Sequence, residues 1–472
     1  MSFAAPLFLW YFLPAVLLAT WILPHGARNG VVAVSSLAFY AVGGKEFVLL
    51  LLALIAVNYA AGLAIGALPR RHRKALLAAT IVVDLAVLAV WKYAGFASTV
   101  VHSIASTAGL GDTRVISLIL PIGISFFTFH HLSYVVDVYR GIRAPMRNPL
   151  TFVTYIAMFP QLVAGPIVRY HEIADQLRDA RRHRLADFAD GFPRFAWGLF
   201  KKVAIADSLA PIADAAFAVP DPSSATAWIG ALAYTGQIYF DFSGYSDMAI
   251  GLGTMLGLRL PENFARPYSA VSVTDFWRRW HQSLSRWFRD YLYVPLGGNR
   301  GGTYRTYRNL SIVFLTTGLW HGAAWTFVLW GAYHGLLLII ERATGLGRST
   351  RWAGPRRAIT FLLVVFGWVL FRAESLPAAG RMLHVMVNPL QGWGISPDVA
   401  LLLSGHRTAL LLLVIASAFL PATWVTGRVI DGLQESPLWA RRSVRAAALV
   451  IAPYAAVVAV AGTFSPFLYF QF

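Results

Sequence analysis

The chain has 472 residues, of which 57% are hydrophobic and only 13% are charged, and its mean hydropathy is +0.58. This apolar share far exceeds that of a soluble domain, so the composition predicts an all-α protein that crosses a membrane many times. The absence of cysteine excludes disulfides, thiolate metal sites and a cysteine nucleophile. The net charge of +18 does not indicate a nucleic-acid partner, because the basic residues fall in short loops between apolar segments, as in cytoplasmic loops of membrane proteins.

The first apolar segment, residues 5–23, lacks a preceding basic region and a small-residue cleavage pattern, so we interpret it as a retained span rather than a removed signal. Arg70 to Lys74 mark the clearest cytoplasmic loop. From there, spans near 76–96 and 116–138 are predicted to leave the cytoplasm and return, with the weakly charged loop around Asp112 outside.

The stretch from Phe152 to Arg169 holds Pro160, Gly165 and Pro166. We predict a re-entrant element there, because broken backbone is tolerated at membrane depth where protein surrounds it. Spans near 192–217 and 226–257 follow, and the basic segment 259–308 is predicted to be cytoplasmic. Three more spans, near 356–372, 408–422 and 446–464, bring the expectation to about ten spans and two re-entrant elements.

The second predicted re-entrant element is a hairpin at residues 309–341, a stretch without Asp, Glu, Lys or Arg before Glu341. Glycines at 318 and 322 flank His321, which is expected near the tip of the hairpin. An ionisable side chain at bilayer depth is costly and usually faces a cavity, a relay or a partner. The alternative is a neutral histidine that only hydrogen bonds between helices.

Residues 275–291 have the spacing of an amphipathic helix at the cytoplasmic headgroup level. Its apolar face holds Trp277, His281, Leu284 and Phe288, and its polar face holds Arg278, Arg279, Gln282, Arg286 and Arg289. The arginines either attract lipid phosphates and set the topology, or attract an anionic donor such as a nucleotide-bearing thioester.

Two carboxylates, Asp241 and Asp247, lie in an otherwise apolar span and either line a water-filled cavity or bond to neighbouring helices. A glycine cluster at 297–302 is a weak indication of phosphate binding, with a plain loop as the alternative. His130, His131 and His334 lack ligand spacing with a carboxylate or thiolate set, so no metal site is expected.

Several of these segments together resemble the membrane-bound O-acyltransferases, specifically the bacterial polysaccharide branch that includes alginate O-acetylation. The resemblance extends from about residue 40 to the C-terminus. It is carried by residues 123–129, 137–141, 159–167, 238–249, 261–264, 275–299, 318–322 and 466–472.

The resemblance implies a helical bundle with a central tunnel, formed by residues 1–472 as a single acyltransferase domain. It implies that His321 is the essential intramembrane histidine of the family and that His281 occupies its second characteristic position. The residues expected to contact substrate are Asp241, Asn263, Trp277, Arg278, Arg279, Trp280 and Trp320.

The implied activity is acetyl transfer from cytoplasmic acetyl-CoA, with no permanently bound cofactor, to a hydroxyl presented across the inner membrane of a bacterium. The acceptor is a periplasmic or extracellular acetyltransferase partner protein or the polysaccharide itself. A neutral His321 would act as general base. His281 would orient the donor or shuttle a proton, and the tryptophans would exclude water.

Two other classes remain compatible with the residues. A secondary transporter or export channel would also have many spans, broken helices and buried carboxylates, although no internal repeat is evident. A non-catalytic scaffold of an exopolysaccharide complex would leave acetylation unaffected by histidine substitutions. Transfer of label from acetyl-CoA by the purified protein distinguishes an enzyme from both.

Overall fold

A computed structural model describes residues 2–111, 113–179, 184–348, 352–419, 438–462 and 467–468. Every regular element within these ranges is helical. The helices group into two compact units, one formed by Met1–Gly191 and Ala249–Pro261, the other by Phe192–Met248 and Glu262–Phe472. That residues 1–472 act as a single acyltransferase domain stays a prediction.

The first unit starts with a π-helical turn at Phe8–Phe12 and continues through eight α-helices of the described chain. These are α1 (Leu13–Ile22), α2 (Arg28–Gly44), α3 (Phe47–Ala67), α4 (Arg70–Thr107), α5 (Ile124–Tyr139), α6 (Pro149–Ala157), α7 (Phe159–Leu162) and α8 (Tyr170–Arg178). Helix α3 packs closely on α5, because Gly62 leaves room for the Tyr134 ring: a Cβ at position 62 would lie 2.2 Å from it. This approach places both helices in one core.

The span predicted at 116–138 is shorter in the structure. Residues 113–120 form no helix, and α5 begins only at Ile124, after Pro121 and after Gly123, whose φ is +76°. An apolar run therefore extended the sequence-based prediction into irregular backbone, because hydropathy does not register the helix-breaking effect of proline and of a left-handed glycine.

The stretch from Phe152 to Arg169 has the broken backbone that its prolines predict. Helix α6 ends at Ala157, the short α7 ends at Leu162, and the chain stays irregular until α8. The Ser36 hydroxyl accepts a hydrogen bond from the Phe159 backbone N–H at 3.0 Å, so one of the amides at the break is satisfied inside the protein. Whether this element is re-entrant stays a prediction.

The second unit holds the remaining helices. They are α9 (Arg184–Phe200, from Phe192 on), α10 (Asp207–Ala218), α11 (Ser224–Met255, as far as Met248), α12 (Val273–Arg279), α13 (Gln282–Phe288), α14 (Gly302–His321), α15 (Trp325–Thr344), α16 (Ala353–Arg372), α17 (Leu376–Val387), α18 (Pro397–Leu402), α19 (Gly405–Phe419) and α20 (Leu438–Ala461), with π-helical turns at Lys201–Ala206 and Arg289–Tyr293. Helices α14 and α15 form a tightly packed hairpin.

Within the described ranges, four helices are long and apolar enough to cross a membrane: α3, α4, α16 and the Arg442–Ala461 part of α20. Two shorter apolar helices lie at Phe8–Ile22 and Gly405–Phe419. The expected count of about ten spans is therefore not confirmed. The predicted span 192–217 shows one reason, because a π-helical turn carrying Lys201 and Lys202 separates α9 from α10.

Candidate active site

His321 is the last residue of α14, and the chain reverses through Gly322 before α15 begins at Trp325. A Cβ on Gly322 would lie 2.1 Å from a ring carbon of Phe327, so only glycine fits the turn as it stands. Two further glycines bring the helices together. A Cβ on Gly318 would lie 2.3 Å from the carbonyl oxygen of Phe327, and the two glycines of the crossing, Gly318 and Gly331, face each other. The glycines thus hold His321 at the tip of a close-packed hairpin.

The His321 imidazole is 3% exposed and enclosed by aromatic rings. The centroids of Trp320, Trp330 and Phe371 lie 5.0, 5.1 and 5.2 Å from its own, all in edge-to-face arrangements. Phe371 is contributed by α16, so three helices form the enclosure. Such packing fixes the ring orientation and excludes bulk water from the imidazole.

His281 lies at a sharp bend between α12 and α13 rather than inside a helix. The predicted continuous helix over residues 275–291 is therefore wrong. His281 has φ +43° and ψ +55°, a left-handed conformation that a residue with a Cβ rarely adopts. Trp280, which directly follows α12 and lies three residues after Trp277, is also buried.

Asn263 holds the bend from the preceding irregular segment. Its side-chain oxygen lies 3.0 Å from Nδ1 of His281 and accepts hydrogen bonds from the Ser283 hydroxyl at 2.8 Å and the Ser283 backbone N–H at 3.3 Å. Its backbone carbonyl accepts a hydrogen bond from the Gln282 N–H at 2.9 Å. Asn263 is 1% exposed and His281 is fully buried, so these contacts are shielded from water.

The two histidines that the sequence singles out meet the same tryptophan. The Trp320 ring centroid lies 6.1 Å from that of His281 and 5.0 Å from that of His321. Phe242 covers another side of His281 at 4.7 Å. The structure therefore brings together His281, His321, Trp320 and Asn263. Trp320 and His321 follow His281 and Asn263 by 39 to 58 positions in the sequence.

Trp277 and Trp280 belong to the same aromatic cluster but contact other residues. The indole N–H of Trp277 donates a hydrogen bond to Nδ1 of His334 at 3.4 Å, and the Trp280 ring lies 4.7 Å from that of Trp368. Of the two arginines expected to contact substrate, Arg278 is exposed, whereas Arg279 is half-buried and its guanidinium lies 2.9 Å from the Asp275 carboxylate.

Asp241 is fully engaged by protein groups. Its carboxylate lies 2.7 Å from the Lys202 ammonium and accepts a hydrogen bond from the Leu468 backbone N–H at 2.9 Å. Asp247 likewise meets Lys201 at 2.6 Å and Arg194 at 3.0 Å. Of the two alternatives for these carboxylates, bonding to neighbouring segments describes their geometry.

Sequence reasoning missed the aromatic wall that surrounds the histidines, namely Trp330, Trp368 and Phe371, and it considered His334 only as a metal ligand. A signal was present, because Trp330 and His334 are four residues apart on the helix that follows His321 and so share one of its faces. Within the described residues, no group of three or more His, Asp or Glu side chains is arranged to hold a metal ion.

The glycine cluster at 297–302 borders a cavity of about 300 Å³. Arg305 and Arg308 line it together with Leu296, Gly297, Gly301 and Asn309. The buried Asn309 amide donates hydrogen bonds to the carbonyls of Leu296 and Gly298, at 3.2 and 2.9 Å, and so holds the glycine loop against the start of α14. Two guanidinium groups beside a helix N-terminus make this cavity suitable for an anion.

Residues 142–376, which include both histidines and both arginines of the cavity, match the family model described as MBOAT, membrane-bound O-acyltransferase family. The chain is 48% identical to a probable alginate O-acetylase of Azotobacter vinelandii over 88% of this chain and 83% of the relative. It is 44% identical to the corresponding protein of Pseudomonas putida over the whole of both chains. A peptidoglycan O-acetyltransferase of Helicobacter pylori is 38% identical over 82% of this chain and 80% of the relative.

Proposed function

The chain belongs to the membrane-bound O-acyltransferase family and is an O-acyltransferase; from this premise we propose that it uses cytoplasmic acetyl-CoA to acetylate a hydroxyl on the far side of a bacterial inner membrane. The final product of this acetyl transfer is an O-acetylated extracellular polysaccharide of the alginate type. The burial of His281 and His321 against one shared tryptophan is the observation that carries the proposal, because it provides two imidazoles in a site from which bulk water is excluded.

In the proposed reaction, His321 is the general base. The attacking hydroxyl gives its proton to the neutral imidazole while its oxygen forms a bond to the acetyl carbon. The carbon–sulfur bond breaks, and the thiolate of coenzyme A takes the proton back from the imidazolium. A thioester is exchanged for an ester, so no ATP is consumed. A positioned base contributes about 10² to 10⁴ in rate, and alignment of the two reactants supplies much of the remainder.

The surrounding tryptophans have a protective role in this proposal. Trp320 and Trp330 cover the edges of His321, and Trp277 and Trp280 extend the cluster. Water that reached the thioester would compete with the acceptor and release free acetate. A tunnel that connects the donor and acceptor sides through this cluster is part of the proposal.

The donor side is supported by the basic cavity next to the glycine loop. Coenzyme A carries several phosphate groups, and Arg305 and Arg308 supply two positive charges to a cavity in the segment predicted to be cytoplasmic. The exposed Arg278 is available for the same purpose or for lipid phosphates.

The acceptor is proposed from the relatives. Two of them are named for alginate O-acetylation and one for peptidoglycan O-acetylation, so a polysaccharide is the final acceptor that they suggest. The immediate acceptor is either a hydroxyl of the polymer or a hydroxyl on a periplasmic acetyltransferase that passes the group on.

The test uses the full-length protein in liposomes, with radiolabelled acetyl-CoA outside and alginate oligosaccharide, with or without a candidate partner protein, inside. We expect label on the acceptor with the wild type and almost none with His321→Ala. The exposed His384 on α17 provides the matched control, since His384→Ala should retain wild-type transfer. Full transfer by His321→Ala would exclude His321 as the base, and absence of transfer from acetyl-CoA by the wild type would refute the proposed donor.

A further inference from the structure

The contacts of Asn263 determine which nitrogen of His281 carries the proton. The Ser283 backbone N–H can only donate a hydrogen bond, and it points at the Asn263 side-chain atom from 3.3 Å. That atom must therefore be the oxygen, because an amide NH₂ in its place would set two donors against each other. The remaining NH₂ group donates to the Ser246 hydroxyl at 3.0 Å, which completes a consistent assignment.

The same oxygen lies 3.0 Å from Nδ1 of His281. If Nδ1 carried a lone pair, two buried acceptors would face each other at hydrogen-bond distance. Nδ1 must therefore carry the proton and donate it to Asn263. Both side chains are almost completely buried, so water does not provide an alternative partner.

His281 is held in one neutral form by its surroundings. The loss of hydration lowers the pKa of His281 to about 3. At neutral pH the imidazole is then uncharged, with its one N–H proton on Nδ1 and the acceptor lone pair on Nε2.

We infer that Asn263 is a positioning residue for the proposed acyl transfer, which fixes His281 as the Nδ1–H tautomer so that Nε2 accepts a hydrogen bond from the reacting groups. This assignment rests on the proposed function and specifies the role of His281 in it. An Nε2 without a proton cannot donate to the thioester carbonyl, so His281 receives a proton or a hydrogen bond instead of polarising the acyl group. Asn263 acts through His281 and was expected, from the resemblance, to contact substrate directly.

The backbone supports the same conclusion. His281 adopts the left-handed conformation that disfavours a residue with a Cβ, and hydrogen bonds on both sides of it hold the bend. The Gln282 N–H donates to the Asn263 carbonyl at 2.9 Å, and the Ala265 N–H donates to the Arg279 carbonyl at 2.9 Å. Strain retained at a candidate site is typical of a side chain whose direction matters.

The first test is a direct measurement of the tautomer in the full-length protein in lipid bilayers. With ¹⁵N-labelled histidine, the His281 resonances are identified as those missing from His281→Gln. We expect an N–H signal at Nδ1 and an unprotonated signal at Nε2 near neutral pH. The opposite assignment would overturn the inference. Because this measurement needs no turnover, its failure is distinct from failure of the proposed acetyl transfer.

The second test compares three variants in the liposome assay. Asn263→Leu removes the acceptor and should lower kcat by about 10²-fold or more while changing KM for acetyl-CoA little. Asn263→Asp keeps an acceptor, and the Ser246 hydroxyl can turn to donate to it. It should recover much of the activity at alkaline pH, with its acid limb moved to higher pH because the carboxylate stabilises the imidazolium.

Ser246→Ala is the matched control, since it removes a hydrogen bond of Asn263 on the side away from His281. It should retain kcat within about threefold, because the contact to His281 is kept. Equal losses in all three variants would indicate a purely structural role and would contradict the inference. Should Asn263→Leu fail to fold, two measurements still test the role of Asn263: the shift of the acid limb of the pH–rate profile in Asn263→Asp, and the tautomer of His281 in the wild type.

Discussion

Gly318 and Gly331 face each other across the α14–α15 hairpin, and a Cβ on either one would lie 3.3 Å from the Cα of the other. The same Cβ atoms would lie 2.3 and 2.4 Å from the carbonyl oxygens of Phe327 and Phe314. The two helices thus cross with their backbones nearly in contact, which only glycine permits. His321 lies three residues after Gly318, in the last turn of α14, so its position depends on this crossing.

We therefore expect Gly318→Ala to force the helices apart. The backbone carbonyl cannot move away cheaply, so the substitution should destabilise the fold by about 1–3 kcal/mol, the usual cost of overpacking, and should lower transfer more than stability alone explains. Thermal unfolding in detergent measures the first effect. Gly380→Ala on the exposed side of α17 is the control, where nothing lies within 4 Å; it should be neutral or stabilising by about 0.5–1 kcal/mol. An unchanged unfolding temperature in Gly318→Ala would contradict the close crossing.

Trp320 is expected to matter through its contacts with both histidines. Trp320→Ala should leave a cavity between His281 and His321, admit water and raise the ratio of acetyl-CoA hydrolysis to acceptor acetylation. Trp320→Phe keeps an aromatic ring and should retain more of the coupling. The ratio of free acetate to labelled acceptor measures the effect, and an equal ratio in both variants and wild type would show that this ring does not exclude water.

The buried ion pair between Lys202 and Asp241 should contribute strongly to folding. Their side chains are 4% and 1% exposed, so Asp241→Asn would leave the ammonium with Asp207 alone and weaken the anchor of Leu468. Removing one partner of such a pair costs about 3–5 kcal/mol. The exposed pair of Arg143 and Asp175 is the matched control, and Asp175→Asn should cost less than about 1 kcal/mol. Similar unfolding midpoints for both variants would be inconsistent with this expectation.

The basic cavity should control donor affinity. Arg305→Gln and Arg308→Gln should each raise KM for acetyl-CoA by roughly 5-fold to 150-fold with a smaller change in kcat, because a lost charge-assisted hydrogen bond costs about 1–3 kcal/mol. The dependence of KM on ionic strength should also weaken. Arg381→Gln, on α17 and outside the cavity lining, is the control. A normal KM in both cavity variants would place the donor phosphates elsewhere.

The pKa of His281, lowered to about 3 by burial, predicts a pH dependence of stability. The unfolded histidine binds a proton below about pH 6.5, whereas the folded one stays neutral down to about pH 3. Between these values the unfolded state holds more protons, so the free energy of unfolding falls as the pH falls. We expect the unfolding midpoint to decline less steeply from about pH 7 to about pH 4 in His281→Gln than in wild type. His25→Gln, at an exposed position, should keep the wild-type slope.

The number of membrane spans stays a prediction of the hydropathy pattern. Apolar runs predicted about ten spans, whereas four helices of the described chain have the length and composition of a span. Turns and paired charges interrupt the apolar sequence at Lys201–Ala206 and before α5. A window average cannot detect that Lys202 is paired with Asp241, which lies 39 positions further along the chain.

The sequence by itself determined the class of the protein and indicated His281 and His321 as its candidate site residues. Its apolar composition predicted a helical membrane protein, and its motifs indicated the acyltransferase family that the relatives confirm. Glycines beside His321 predicted a tight hairpin, since glycine spacing is local information. Only the tertiary structure decided that His281 sits at a strained bend, that Trp320 joins it to His321, and that Asn263 selects its tautomer. These contacts join residues 18 and 39 positions apart, and periodicity within one helix contains no information about which distant side chain completes a hydrogen bond or fills the space beside a ring.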